Sequence, residues 1–413
     1  MKYLIVVPDG SADDPIDSLG GKTPLEAAAL PNIDALAARG EIGFCKTVPD
    51  GISPGSDSAN LSVMGYDPRV YLTGRSPLEA AAIGVNMQAD DIAFRVNFVT
   101  VDPAGHDRYE DFIMRDHAAG DIETEDCRVL LDVIAEAFRQ ENLQFYPGTG
   151  YRHCMLINRK HPQGHTDYQC VPPHDILERQ IGAYLPQGKD ADFLTDMMRR
   201  SYELLKEHPI NRDREARGLN PANAIWIWGQ GVRPSLPNFE EKYGVRGTVI
   251  SAVDLIKGIG TFAGLETPEI PGATGSIHTD YEAKVRRAIE AYEEGKNFVY
   301  MHIEGTDECS HQGNLEAKMR CAEYIDDRVV RPLYAYLKRT GDDFRILIIP
   351  DHRTPIAIRT HSSDPVPYVL YDSRHETAPD ASSKQFNERA AAASGNLCAE
   401  GYTMADRFFE RKA

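Results

Sequence analysis

The chain has 413 residues, with 45 Lys and Arg against 63 Asp and Glu and a formal net charge of −18 at pH 7. That acidity speaks against nucleic acid and against an anionic membrane as partners, because both need a basic surface; an anionic substrate would have to be drawn by metals and a few local cations. The length exceeds what one simple core organises, so two domains are expected, and the seven scattered cysteines, with no CxxC pair, indicate neither a disulfide framework nor a zinc knuckle.

In chain order, residues 3–7 (YLIVV) read as a buried strand of a parallel sheet, and Pro8 ends it so that Asp9 and the flexible Gly10 follow at its tip. No basic leader with a cleavage site precedes it, and no stretch approaches the roughly 18 apolar residues of a membrane-spanning helix, so a cytoplasmic protein is expected. GGKTPLE at 20–26 leads into an Ala- and Leu-rich stretch, 27–39, in which Pro31 starts a fresh helix from a first-turn position. Residues 42–47 read as the next strand. In VPDGISPGSDSANLSVMGYD, 48–67, Pro and Gly force an extended loop, and a short helix then runs over 58–64 with Ser56 and Asp57 at its start.

The middle of the chain carries a strand at 92–101 (IAFRVNFVTV), an amphipathic helix at 126–140, and Arg152 and His153 after the Gly-rich PGTGY turn, with a strand continuing over 155–158. A helix is expected at 201–208, and the charged run 213–218 reads as a solvated face. Residues 224–228 form a short apolar strand, and Gly229, Gln230 and Gly231 after it are expected to make a loop open enough for a ligand to approach the backbone. Strand and helix return over 249–259, which includes Lys257.

Two further strand ends carry polar chemistry. FVYMHI at 298–303 runs into EGTDECSH, where Asp307 and His311 are four apart; a helix beginning just after Thr306 would put both on one face. Cys309 between them reads as a small buried filler rather than a soft ligand. The apolar run 346–349 stops at Pro350 and delivers Asp351 and His352 side by side, with His361 nine residues on. A single His beside an Asp is commonly just a hydrogen-bonded pair. Three strand-end acids, two with His nearby, are hard to attribute to packing, and chemistry in open α/β sheets collects at the carboxyl ends of strands. An oxygen and nitrogen ligand set for metal is therefore expected.

Ser56 has two readings, a helix N-cap or a nucleophile. Its hydroxyl is a poor nucleophile at neutral pH without an adjacent base or a metal, and a helix N-terminus supplies N–H groups and partial positive charge suited to a phosphoryl group. Beside three acid-bearing strand ends, Ser56 fits metal-assisted phosphoryl transfer.

Taken in order, Asp9-Gly10, PGSDSANLSVMGYDP, TDECSH, PDH and RTHSSDPVP resemble the cofactor-independent phosphoglycerate mutases of the archaeal type, members of the alkaline phosphatase superfamily. GGKTPLEAA, PPHDI at 172–176 and KEHPIN at 206–211 extend the resemblance over nearly the whole chain. It implies an α/β fold with an alkaline phosphatase-like central sheet flanked by helices, in a discontinuous metal-binding domain of 1–90 and 240–413, and an inserted smaller α+β lid at 91–239. One metal would be held by Asp307, His311 and His361, the second by Asp9, Ser56, Asp351 and His352; manganese or zinc suits such mixed ligands. Ser56 would carry a phosphoserine, Lys257 would lie near the substrate phosphate, and Asp57, Arg152, His153 and His117 are the candidate substrate contacts. The resemblance further implies a small phosphorylated metabolite as substrate and no need for 2,3-bisphosphoglycerate.

The departures lie in the lid. Where members with mutase activity look rich in arginine, the chain has MRDHAAGDI, with His117 and Asp121, and Trp228 before Gly229; losing guanidinium partners for an anion is not neutral. Asn60 replaces a His that is not a ligand. A subgroup sharing the WGQG and PPHDI wording has been proposed to phosphorylate homoserine, so homoserine kinase stands beside phosphoglycerate mutase, with a plain phosphatase or phosphopentomutase-like enzyme third. No Walker loop or protein-kinase signature is present.

Overall fold

The structure is a computed structural model that describes residues 1–376 and 385–410. The chain divides into two compact units, Met1–Leu72 with Ser235–Ala413, and Thr73–Pro234. The resemblance put these cuts at 90/91 and 239/240. The first cut falls earlier because helix Arg75–Ala82 buries Ser76, Pro77, Leu78, Ala80 and Ala81 against strands Asp91–Asp102 and Ala224–Val232 of the second unit.

The first unit is built on a seven-stranded sheet in the order Gly247–Ile250, Phe298–Ile303, Lys2–Pro8, Phe344–Ile348, Val366–Asp372, Glu41–Cys45, Leu397–Cys398. The first four strands run parallel, while Val366–Asp372 pairs antiparallel with both of its neighbours, so the sheet is mixed. Register explains why three distant acids can meet. Val6 lies opposite both Met301 and Ile348, and the three central strands therefore end level, releasing their loops at one edge. Apolar and β-branched side chains fill both faces of these strands, the pattern of a sheet covered on each side.

Leu4, Val6, Val299, Met301, Ile303, Ile346 and Ile348 face a core made with helices Pro31–Arg39, Tyr281–Glu293 and Arg331–Thr340. Tyr3 and Phe298, one residue out of phase, face an aromatic cluster in which Phe239 stacks on Phe298 at 5.0 Å and Phe409 meets Tyr3 at 5.0 Å. Helix Leu315–Tyr324 passes into Arg331–Thr340 through a π-helical stretch, Ile325–Val330. Pro332 accounts for it, since it has no N–H to return to the preceding turn and the ladder slips by one residue.

The second unit is an antiparallel sheet centred on Asp91–Asp102, which pairs with Arg152–Asn158, Ala224–Val232 and Ile113–Asp116. Helices Thr124–Ala137 and Ala191–Leu205 bury Leu130, Ile134, Leu194 and Met198 in its core. Two expectations change here. The helix expected at 201–208 is the end of Ala191–Leu205, and a second helix, Pro209–Ala216, takes in part of the charged run, Pro209 starting it. Gly229, Gln230 and Gly231 are not a loop: the strand continues to Val232 with a register shift against Ala93–Arg95, a bulge that Gly229 accommodates at φ 65°.

Ile346, fully buried, and Ile358, 55% exposed, test the core assignment. Ile346→Ala is expected to cost about 2–5 kcal/mol and Ile358→Ala less than about 0.5 kcal/mol, read from urea midpoints.

Candidate functional site

Parallel strands ending together put Asp9, the 304–311 segment and Asp351–His352 at one edge of the first unit's sheet. Two ligand groups form there, Asp307 with His311 and His361, and Asp9 with Asp351 and His352, the ligand atoms of each lying within 4.8 Å of one another. Helix Gly305–His311 presents Asp307 and His311 on one face as their spacing demanded, with Asp307 Oδ2 3.1 Å from His311 Nε2. His361 Nε2 is 3.1 Å from His311 Nε2 and 3.5 Å from Asp307 Oδ1. Cys309, buried beside them, stays outside the group.

Ring tautomers follow from the hydrogen bonds. His311 Nδ1–H donates to the Arg359 carbonyl at 3.0 Å, which leaves Nε2 as the ring nitrogen turned towards Asp307 and His361. The Thr354 hydroxyl donates to Asp307 Oδ1 at 2.5 Å and accepts from His352 Nδ1–H at 3.2 Å. His352 Nε2 is then a free acceptor, 3.5 Å from Asp351 Oδ2, 3.6 Å from Asp9 Oδ1 and 3.2 Å from Ser56 Oγ. One threonine thus ties the two groups together.

Ser56 is the first residue of helix Ser56–Val63, and Gly55, not Ser56, is its N-cap. The hydroxyl is therefore not committed to capping and donates to His352 instead. Asn60, one turn on, donates to the Ser56 carbonyl and to Asp351 Oδ2, both at 2.8 Å, and accepts from the Tyr300 hydroxyl at 2.6 Å. It locks the serine helix to the Asp351 strand end.

Charge is the dominant feature. Asp9 and Asp351 are almost wholly buried and Asp307 nearly so. Burial and the adjacent Asp351 push the Asp9 carboxyl well above its ordinary range. Burial acts the same way on Asp307, but the His311 and His361 rings outweigh it and hold that carboxyl low. His311 is pushed up to about 9, chiefly by its bond to Asp307. Three carboxyls in one buried spot cannot all ionise without added positive charge, and Asp9 Oδ1 is a buried oxygen with no hydrogen-bond partner. Imidazole lone pairs and carboxylate oxygens converging on two points, with one carboxylate oxygen unmatched, fit two divalent cations.

His302, Glu304 and Lys284 escaped the sequence analysis. His302 is fully buried, its Nε2 3.3 Å from Asp9 Oδ2 and 3.9 Å from Asp351 Oδ2, without a well-aligned partner. Its Nδ1 is 3.2 Å from Glu304 Oε1, and Glu304 in turn takes the Lys284 ammonium at 2.9 Å and the Ser251 hydroxyl at 2.8 Å. Burial alone would lower His302, but its carboxylate neighbours win and raise it to about 9. The available signal was a histidine inside an otherwise apolar strand, followed two residues later by Glu.

The remaining candidates are placed as follows. Lys257 is buried in helix Asp254–Phe262, its Nζ 3.0 Å from Asp254 and 2.6 Å from Glu269. Burial opposes its charge, and the two carboxylates more than offset that, so its pKa is raised. Asp57 Oδ1 accepts from Ser58 N at 2.8 Å in the first turn of the serine helix. In the second unit Arg152 and His153 are consecutive strand residues and so point to opposite faces. Arg152 is exposed beside the Tyr151 ring; His153 is buried edge-on to Phe98, and burial pulls it down to about 4. His117 lies 5.9 Å from Tyr151 and 6.0 Å from His174, ring to ring. Trp228, where an arginine was missed, carries one on its face: the Arg95 guanidinium is 4.4 Å from the Trp228 ring and 3.0 Å from Glu79. Strand register pairs Arg95 with Trp228.

Two substitutions probe this geometry. Gly10 sits at φ +60°, and a Cβ there would come within 2.5 Å of both Asp307 Oδ1 and Thr354 Oγ1; Gly10→Ala should fold yet lose divalent-cation binding in calorimetry. His302→Leu strips a buried cation from between Asp9 and Glu304 and is expected to cost about 3 kcal/mol, measured by urea unfolding.

The family model described as 2,3-bisphosphoglycerate-independent phosphoglycerate mutase matches residues 37–211. A protein of that name from Methanosarcina barkeri is 46% identical over 391 residues, covering 95% of each chain. A probable 2,3-bisphosphoglycerate-independent phosphoglycerate mutase from Geobacter sulfurreducens is 45% identical over 411 residues, covering 100% of each. Among solved structures, a Pyrococcus horikoshii protein aligns with a TM-score of 0.79 at 29% identity, over 100% of this chain and 98% of the other. A cofactor-independent phosphoglycerate mutase from Thermoplasma acidophilum aligns at 0.66 with 26% identity, over 99% of each. The chain belongs to the family of 2,3-bisphosphoglycerate-independent phosphoglycerate mutases.

Proposed function

We propose that the chain interconverts 3-phosphoglycerate and 2-phosphoglycerate by passing the phosphoryl group through Ser56. The observation that carries this is the Ser56 hydroxyl, 3.2 Å from His352 Nε2 at the edge of the two buried carboxylate–imidazole groups. Asp307, His311 and His361 would hold one divalent cation, and Asp9, Asp351, His352 and the Ser56 oxygen the other, with manganese or zinc favoured by the mixed donors. Bound there, such cations lower the pKa of the hydroxyl and neutralise charge on the attacking and leaving oxygens.

The chain's own groups do the positioning. Asn60 and the Gly55 cap fix Ser56 at the start of its helix, where the helix dipole favours the incoming phosphoryl group. The Ser56 oxygen attacks phosphorus, the bond from phosphorus to the glycerate oxygen breaks, and the departing oxygen takes a proton. The other glycerate hydroxyl then attacks the phosphoserine, and Ser56 is released with its proton restored. Lys257 is assigned to the phosphoryl oxygens; its partner Glu269 has an 82% exposed side chain and can be exchanged for a substrate anion at small cost.

Within the second unit, Arg95 is the best-held cation. Burial lowers the Arg95 pKa, and Arg75 and Arg152 are close enough to add to that, with Glu79 opposing. A guanidinium stacked on an indole away from water gains about 2 kcal/mol, enough to hold Arg95 in one orientation. It places a cation beside residue 228, so the arginine missing there no longer counts towards homoserine, and the WGQG and PPHDI wording is what stands on that side. Arg152 is the substrate candidate of its pair, because His153 faces the core.

Manganese-loaded protein should convert 3-phosphoglycerate to 2-phosphoglycerate in an enolase-coupled assay without added 2,3-bisphosphoglycerate; a chelator should abolish turnover and manganese restore it. Ser56→Ala should lower kcat roughly 10⁴-fold or more. Homoserine-dependent ATP consumption in place of mutase activity would overturn the substrate while leaving the nucleophile intact.

A further inference from the structure

Glu41–Cys45 and Leu397–Cys398 run parallel as the last two strands of the first unit's sheet, and the register sets Cys398 directly opposite Cys45. Neighbouring strands lie about 4.8 Å apart, inside the Cα span of about 4.4–6.8 Å that a disulfide bridges. The two thiols are unequal. Cys45 has no exposed surface, whereas Cys398 is half-buried on the outermost strand, next to Leu397 at 61% exposure. Cys398 Sγ meets the Thr403 hydroxyl at 3.5 Å and donates to the Glu400 carbonyl at 3.4 Å.

We propose that Cys398 and Cys45 form a modification site for low-molecular-weight disulfides, with Cys398 the attacking thiol and Cys45 the resolving one. The Cys398 thiolate attacks one sulfur of the small disulfide, a mixed disulfide forms on Cys398, and a small thiolate leaves. The Cys45 sulfur then attacks Cys398 Sγ, the second small thiolate departs with the Cys45 proton, and the protein disulfide remains. Two protein thiols are oxidised and one small disulfide is reduced to two thiols, so atoms and electrons balance. No other oxidant is required.

The environment of Cys398 suits the attacking role. Its bond to Cys45, the Thr403 hydroxyl and the Arg407 guanidinium outweigh burial and bring its thiol down to about 6, whereas the other six cysteines are all pushed up. Thiolate character and access select which cysteine reacts. The bridge would also reach the serine loop. Lys46 N donates to the Cys398 carbonyl at 2.9 Å, and the Thr47 hydroxyl donates to the carbonyl of Asp351.

The test treats the intact chain with oxidised glutathione at neutral pH, quenches with acid and maps the peptides by mass spectrometry. Wild type should yield a Cys45–Cys398 linked pair that dithiothreitol reverses. Cys45→Ser should retain glutathione on Cys398, and Cys398→Ser should leave Cys45 unmodified. Glutathione settling on Cys170 in preference to Cys398, or staying on wild-type Cys398 without transfer to Cys45, overturns the proposal. If Cys45→Ser fails to fold, the wild-type linkage and Cys398→Ser decide the matter, since Cys398 lies on the sheet margin.

Discussion

The structure turns on one electrostatic constraint: Asp9, Asp351 and Asp307 are gathered in a buried place that cannot leave them all charged and uncompensated. Compensation comes partly from the chain. Lys284 neutralises Glu304, the His302 imidazole stands between Glu304 and Asp9, and the rings of His311, His352 and His361 complete the two groups. What the chain does not neutralise, divalent cations can, and the hydroxyl of Ser56 stands at that same spot. In the proposed reading, phosphoryl transfer follows from where uncompensated negative charge has been stored.

Rigid strands make the storage possible. The acids follow three parallel strands locked in register and packed on both faces, so their loops start from a fixed floor. Thr306 donates its hydroxyl to the Asp9 carbonyl, Thr47 does the same for Asp351, and Thr354 joins Asp307 to His352. These short polar side chains tie backbone and ligand atoms to one another, which is what a preorganised electrostatic site requires.

Much of this was legible in the sequence. Apolar runs ending at Pro8, Ile303 and Pro350 gave the strands nearly to the residue, and the i, i+4 spacing of Asp307 and His311 gave their shared helical face. What stayed hidden depends on register and packing. The pairing of Arg95 with Trp228 is fixed by antiparallel register between residues more than a hundred positions apart, which no local pattern encodes. His302 reads as one polar letter in an apolar strand until Asp9 and Glu304 are placed beside it. Gly229 looked like a loop residue because a bulge and a turn ask the same φ of glycine. The first cut between the compact units lies earlier than the expected 90/91 for a similar reason, since the allegiance of helix Arg75–Ala82 is set by the strands it covers.

Anomalous diffraction from crystals grown with manganese, recorded on either side of its absorption edge, tests the central claim most directly. Two peaks are predicted, one among Asp307, His311 and His361, the other among Asp9, Asp351, His352 and the Ser56 oxygen. A map with no peak at either group, or with manganese bound only elsewhere on the protein, would contradict the account.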